Sequence, residues 1–303
     1  MGFRRTLFLS HIVLINLVSL TIAQPNFLSS VCNDNNSTST YRTNRDALLS
    51  SLASNTDQYG FYNSSTGENP DTVHALVLCR ADTKLGVCRE CINNSIAKLT
   101  ELCPDGKEAI GWRDDCMLRY SNKSMEGVMQ PEPSYPVWNV QRNVTSVEQF
   151  KVVLVNLLKS LGDQAAAGGS RVKFASGNAT GPDSQTVYAL AQCTPDISKS
   201  DCSDCIQGAI EEMPNFNYCC VGPAGGRILR PSCHFRFELG SFVGEIPATP
   251  PVSTATPPVS TTTPLVPVPV STGGSRGLKG RAVSMAAVLL NFIGLAFVLN
   301  LLI

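Results

Sequence analysis

Histidine is scarce in this chain, at three in 303 residues. Once the leading apolar segment is set aside, only His74 and His234 remain, each in a strand-like stretch near a cysteine, where a hydrogen-bonded structural role is expected. No pair of histidines has metal-ligand spacing, and there is no Gly-rich phosphate loop or nucleophile elbow. The carboxylates show no spacing that singles out a catalytic couple. No metal, no cofactor and no enzymatic activity are therefore expected. Tryptophan is rarer still, and Trp112 and Trp138 are read as core or inter-module packing rather than stacking platforms. An excess of one charge is lacking too, with 24 basic residues against 24 acidic. Setting aside Arg4, Arg5, Arg276, Lys279 and Arg281, which belong to the two ends, leaves 19 basic against 24 acidic. That balance offers no electrostatic footprint for nucleic acid.

Cysteine, by contrast, is abundant and patterned. C-x₈-C-x₂-C occurs at Cys79, Cys88 and Cys91 and again at Cys193, Cys202 and Cys205. A pair with twelve intervening residues follows each copy: Cys103 and Cys116, then Cys220 and Cys233. The period of about 114 residues marks a tandem duplication. The cysteines read as structural. A third cysteine nine residues upstream of each C-x₂-C argues against a redox pair, and an oxidising compartment argues against a Cys₄ zinc site.

The two ends place the chain outside the cytosol. Residues 1–23 have a positive start, an apolar stretch from Leu7 to Leu20 and a small-residue cleavage pattern, as in a secretory signal. Asn-x-Ser/Thr sequons at Asn35, Asn36, Asn63, Asn93, Asn122, Asn143 and Asn178 agree with secretion. Residues 282–303 are uncharged and long enough to span a bilayer. The nearby cations precede this run, opposite to the usual arrangement of a type I span. Small residues before a polar spacer and an apolar tail read as a glycosylphosphatidylinositol (GPI) signal, with Ser271, Gly273, Gly274 and Ser275 as candidate attachment sites. The expected location is the outer face of the plasma membrane, held through a lipid anchor. A single-pass span or simple secretion are the alternatives.

Between the ends, the expected organisation is module one at 24–133, a short Pro-rich linker at 134–139 and module two at 140–246. A Pro/Ser/Thr-rich stalk with the anchor region follows at 247–281. Apolar residues recur at helical spacing in 45–55 and 147–162, and a second helix is expected near each C-x₂-C. Strand-like stretches surround Cys79, Cys116, Cys193 and Cys233. The fold class is α+β: two tandem disulfide-rich modules, each an antiparallel sheet packed by two helices. Module two lacks a counterpart of Cys32 and gains Cys219 beside the counterpart of Cys103, which hints that Cys32 pairs with Cys103. Cys219 and Cys220 are then open to a vicinal bridge, free thiols or links elsewhere.

The spacing, together with "DTVHALVLCR", "CRECI", "GWRDDCMLRYSN" and "GGRILRPSCHFRFE", resembles the plant ginkbilobin-homologous domain. That domain occurs in tandem in cysteine-rich receptor-like kinases and secretory proteins. The resemblance implies five strands and two helices per module. It also implies bridges Cys32–Cys103, Cys79–Cys88, Cys91–Cys116, Cys193–Cys202 and Cys205–Cys233. By the same resemblance, the function is that of an extracellular binding or adaptor protein in signalling or defence. Its partner would be a cell-surface receptor or another ectodomain of the same kind. An antifungal lectin for mannose-type or wall glycans, or a structural protein of the wall interface or plasmodesmata, is the alternative. The mannose site of ginkbilobin uses an Asn, an Arg and a Glu. Module one matches only the first, at Asn33, with Ile110 and Ser121 at the other two positions. Module two matches the others at Arg227 and Glu238, and its lost first cysteine leaves the Asn position undefined. An ion pair between Arg227 and Glu238 across neighbouring strands is the structural alternative for those two residues.

Overall fold

The computed structural model describes residues 27–33, 36–139, 142–213 and 222–244. The expected signal, the stalk, the anchor segment, Asn35, Cys219 and Cys220 lie outside them.

Module one runs β1 (Phe27–Asn33), α1 (Ser39–Asn55), β2 (Phe61–Thr66), β3 (Val73–Cys79), α2 (Leu85–Leu102), β4 (Glu108–Arg113) and β5 (Cys116–Ser121). Module two repeats the plan as β6 (Tyr135–Trp138), α3 (Val147–Ala166), β7 (Lys173–Thr180), β8 (Thr186–Cys193), α4 (Lys199–Glu212), β9 (Gly225–Leu229) and β10 (Cys233–Glu238). The sheets have strand orders β1-β4-β5-β3-β2 and β6-β9-β10-β8-β7, with every pairing antiparallel. The segment expected as a linker is thus part of the second fold: four of its residues form the edge strand β6, paired with β9. Pro136 is tolerated there because an edge strand leaves one side of its backbone without ladder bonds.

The helices form for local reasons. Thr38 caps α1 by accepting from the Tyr41 amide, and Ser198 caps α4 by accepting from the Asp201 amide. Phe150, Leu154, Leu158, Leu161 and Ala165 make one buried stripe along α3 at helical spacing. Gly162 lets α3 approach α4, since a Cβ there would lie 2.7 Å from Cγ2 of Ile206. Arg45, buried in α1, donates to the carbonyls of Cys103 and Pro104 and so satisfies groups just beyond the end of α2. Each module has its own core between helices and sheet, centred on Leu52, Ile92, Leu99 and Leu118 in one and on Leu158, Ile206, Phe235 and Phe237 in the other.

Disulfides join Cys32–Cys103, Cys79–Cys88, Cys91–Cys116, Cys193–Cys202 and Cys205–Cys233. Four of these tie the start or end of a strand to a C-x₂-C helix, and Cys32–Cys103 ties β1 to the end of α2.

A third apolar cluster belongs to neither core. Leu76, Leu78, Ile110, Trp112, Met117 and Met125 of module one gather around Leu229, with Val137 packed against them. These residues lie on the helix-free faces of the two sheets, so the modules meet sheet to sheet. Strand β3 is consequently buried on both faces.

Candidate functional site

The helix-free face of the second sheet can be read as three cross-strand rows. The outer row is Asn139, Gly225, Glu238, Tyr188 and Asn178. The middle row is Val137, Arg227, Arg236, Leu190 and Ser176, and the inner row is Tyr135, Leu229, His234, Gln192 and Phe174. Module one has the same three rows: Asn33, Glu108, Ser121, His74 and Ser65; Val31, Ile110, Arg119, Leu76 and Asn63; Ser29, Trp112, Met117, Leu78 and Phe61.

This register supplies the residue that cysteine spacing left undefined. Trp138 lies opposite Gly226 as Cys32 lies opposite Ala109. The next residue, Asn139, donates its amide to the Gly225 carbonyl at 2.8 Å, matching Asn33 opposite Glu108. Module two therefore brings Asn139, Arg227 and Glu238 onto one face. Gly225 matters to that grouping because the Glu238 carboxylate lies across the space a Cβ would occupy.

Arg227 and Glu238 do not pair with each other, contrary to the ion pair considered from the sequence. Arg227 sits opposite Arg236, and Glu238 opposite Gly225. The Glu238 carboxylate accepts from Arg236 Nε and Nη2 at 3.2 and 3.1 Å, while the Arg236 guanidinium stacks on Phe242 at 4.3 Å. Arg227 reaches into the other module and pairs with Asp114 in the β4–β5 turn. Its side chain is 13% exposed, so one member of the trio is committed to the seam between modules.

Polar contacts fix that seam. Gln192 donates to the Cys79 carbonyl at 3.0 Å and accepts from the Ala81 amide at 3.3 Å. Ser232 accepts from the Gln130 amide, and Asp196 from the Gly127 amide. Arg119, buried in module one, donates to Gln130. Burial pushes its guanidinium down to about 10, against the smaller opposing fields of Glu108 and Asp196. Trp112 and Trp138 both pack, the first in the seam and the second against the core of module two.

His234 occupies the inner row. Burial, reinforced by the positive charges of Arg80 and Arg227 and opposed by Asp82, lowers its imidazole to about 4. The unfolded chain therefore takes up this proton first. The stability this site contributes is complete above about pH 6.5 and is lost as the pH falls toward 4, at about 1.4 kcal/mol per unit. His234→Gln is expected to flatten that slope in urea-unfolding midpoints taken from neutral to acidic pH. An unchanged slope would assign the acid sensitivity to other groups.

The sequons are spread over both modules. Asn63 lies on β2, Asn93 in α2, Asn122 just after β5 and Asn178 on β7, while Asn36 precedes α1 and Asn143 forms an isolated bridge with Pro223. His74 stands in the outer row of module one, between Ser121 and Ser65. Among the described residues no helix is long and apolar enough to cross a membrane.

Comparison with known proteins agrees with this architecture. The family model described as "Salt stress response/antifungal" matches residues 30–123 and again 138–240. Over 206 residues the chain is 38% identical to an antimicrobial ginkbilobin-2-like protein of Castanea crenata, covering 68% of this chain and 83% of that one. Over 260 residues it is 35% identical to cysteine-rich receptor-like protein kinase 25 of Arabidopsis thaliana, covering 83% of this chain but 38% of the kinase. The chain thus spans little more than a third of that relative. Among solved structures, the tandem DUF26 ectodomain of the Arabidopsis thaliana receptor-like protein PDLP5 superposes with a TM-score of 0.58 at 27% identity, over 73% of this chain and all of that one. The PDLP8 ectodomain gives 0.60 at 22% identity, over 71% and 98%, a likeness of fold. With both copies of the motif matched and both sheets built to the same plan, the chain belongs to the salt stress response/antifungal family, as a tandem pair of its domains.

Proposed function

We propose that the chain is a non-enzymatic extracellular binding protein of the plant cell surface, acting in signalling or defence by engaging another protein ectodomain. The observation that carries this reading is the Arg227–Asp114 pair. The arginine that would hold a sugar in this family is directed across the seam, where it pairs with Asp114 of module one. The relatives support the compartment and the broad role, since they include an antimicrobial ginkbilobin-2-like protein, a cysteine-rich repeat secretory protein and receptor-like kinases. Attachment through a GPI anchor near Ser271–Ser275 fits the sequence of the C-terminal segment.

A mannose-type lectin is the second reading, favoured by Asn139 falling into register with Arg227 and Glu238. A glycan array separates the two. Protein secreted from a plant host is compared with Arg227→Ala and Asn139→Ala, alongside binding measurements against the tandem ectodomains of related receptor-like kinases. The protein-binding reading expects no glycan signal and a saturable ectodomain interaction. Mannose binding lost in both variants would replace it with the lectin. Release of the native protein from membranes by phosphatidylinositol-specific phospholipase C tests the anchor in the same preparation, and retention would favour a spanning helix.

A further inference from the structure

Strands β2 and β7 end their sheets, each hydrogen-bonded to a single neighbour. Each also carries one sequon on the helix-free face: Asn63 lies opposite Leu76, and Asn178 opposite Tyr188. The two edges run along the same flank of the molecule. Arg171, just before β7, donates to the Tyr59 hydroxyl just before β2 at 3.2 Å and stacks on its ring.

The two asparagines differ in their surroundings. Asn178 is exposed. Asn63 lines an open groove of about 250 Å³ together with Ser64, Ser65, His74, Leu76, Met125 and Glu126. Its lining is mainly polar, with the Ser65 hydroxyl, the His74 imidazole and the Glu126 carboxylate around Asn63, while Met125 and Leu76 are buried in the seam cluster beneath. Among the described residues the Asn63 side-chain amide has no hydrogen-bond partner. A modification acceptor thus stands at the rim of a polar groove that can meet a sugar, whose hydroxyls need donors and acceptors fixed together.

We propose that Asn63 carries an N-linked glycan whose first N-acetylglucosamine is seated in this groove. The sugar chain then covers the free edge of β2, while a glycan on the exposed Asn178 covers the edge of β7. An uncovered edge presents a row of unpaired backbone groups to another sheet edge, and a bulky hydrophilic chain blocks that approach. This rests on the extracellular reading above.

The test uses the full-length protein purified from a plant host. Glycopeptide mass spectrometry is expected to find Asn63 and Asn178 both occupied. Peptide N-glycosidase applied to the native protein is then expected to release the Asn63 glycan about tenfold more slowly than that of Asn178, because access at Asn63 requires the sugar to leave its groove. After denaturation the two rates should converge. Asn63→Gln and Ser65→Ala, which each abolish the sequon, are expected to shift the purified protein toward dimers and larger species, with Ser65→Thr remaining monodisperse. A bare Asn63 beside occupied Asn143 and Asn178 would overturn this inference alone. Bare asparagines at every sequon would instead overturn the extracellular reading. Equal native release rates at Asn63 and Asn178 would reject the seated sugar even if Asn63→Gln is not secreted.

Discussion

Alanine at both Cys32 and Cys103 is expected to destabilise module one by about 4 kcal/mol, the entropy that a bridge across 71 residues removes from the unfolded chain. The bridge also fixes the edge strand β1 to the end of α2, where Cys103 is the capping residue. Cys79–Cys88 spans only 9 residues and should contribute less, about 2.5 kcal/mol by the same reasoning. Urea unfolding of the two double-alanine variants measures both losses. The expected order is Cys32/Cys103 above Cys79/Cys88; a reversed order would mean that local geometry outweighs loop entropy. The comparison matters because module two lacks the first of these cysteines. Trp138 occupies the place of Cys32 and packs against the core, so burial of an indole serves where a covalent link serves in module one.

Truncation of Phe237 to alanine is expected to cost module two about 3–5 kcal/mol, the range for deleting a fully buried aromatic ring. Phe237 points from β10 toward the helices, its ring centroid 6.0 Å from that of Phe150 on α3 and tilted by 55°. The neighbouring strand makes room for it: a Cβ at Gly226 would lie 3.1 Å from the Phe237 ring. Phe237→Leu keeps most of the volume and should cost less than about 1.5 kcal/mol. Denaturant midpoints of the two variants decide the matter. Similar losses in both would mean that the ring–ring contact, rather than the filled volume, carries the stability.

Much of the architecture is legible in the sequence because it is encoded locally. Cysteine spacing marks the duplication, helical periodicity marks α3, and strand-like runs flank the C-x₂-C helices. The start of α1 is less visible. Only Tyr41 and Arg45 are buried along its first two turns, amid polar residues, and the Thr38 cap is a single side chain. Strand β6 reads as a linker because four residues including Pro136 become a strand only when β9 lies beside them.

The site divides in the same way. Asn139 is recoverable from the sequence if "VCN" in module one is matched to "VWN" in module two, without requiring the cysteine. The partner of Arg227 is not. Asp114 lies 113 residues earlier, in the other module, and nothing local to either residue announces the contact. Residues that hold the sheets together are therefore the ones sequence patterns miss, since their pairing is decided by the docking of two units already folded.

Gly244, at the end of the described chain, donates its amide to the Asp82 carboxylate at 2.7 Å. The last described residue of module two is thus held by module one, two residues after Phe242 packs on its own strand β10. If the protein is tethered by its C-terminal end, tension along the chain meets this clasp before it reaches β10. The Asp82 side chain is fully enclosed and also bound by Arg80, so the load passes into the turn that follows β3. Pulling would then load the contacts between the modules, Gln192 and the Arg227–Asp114 pair among them. Mechanical resistance at the point of attachment would come from the duplication itself.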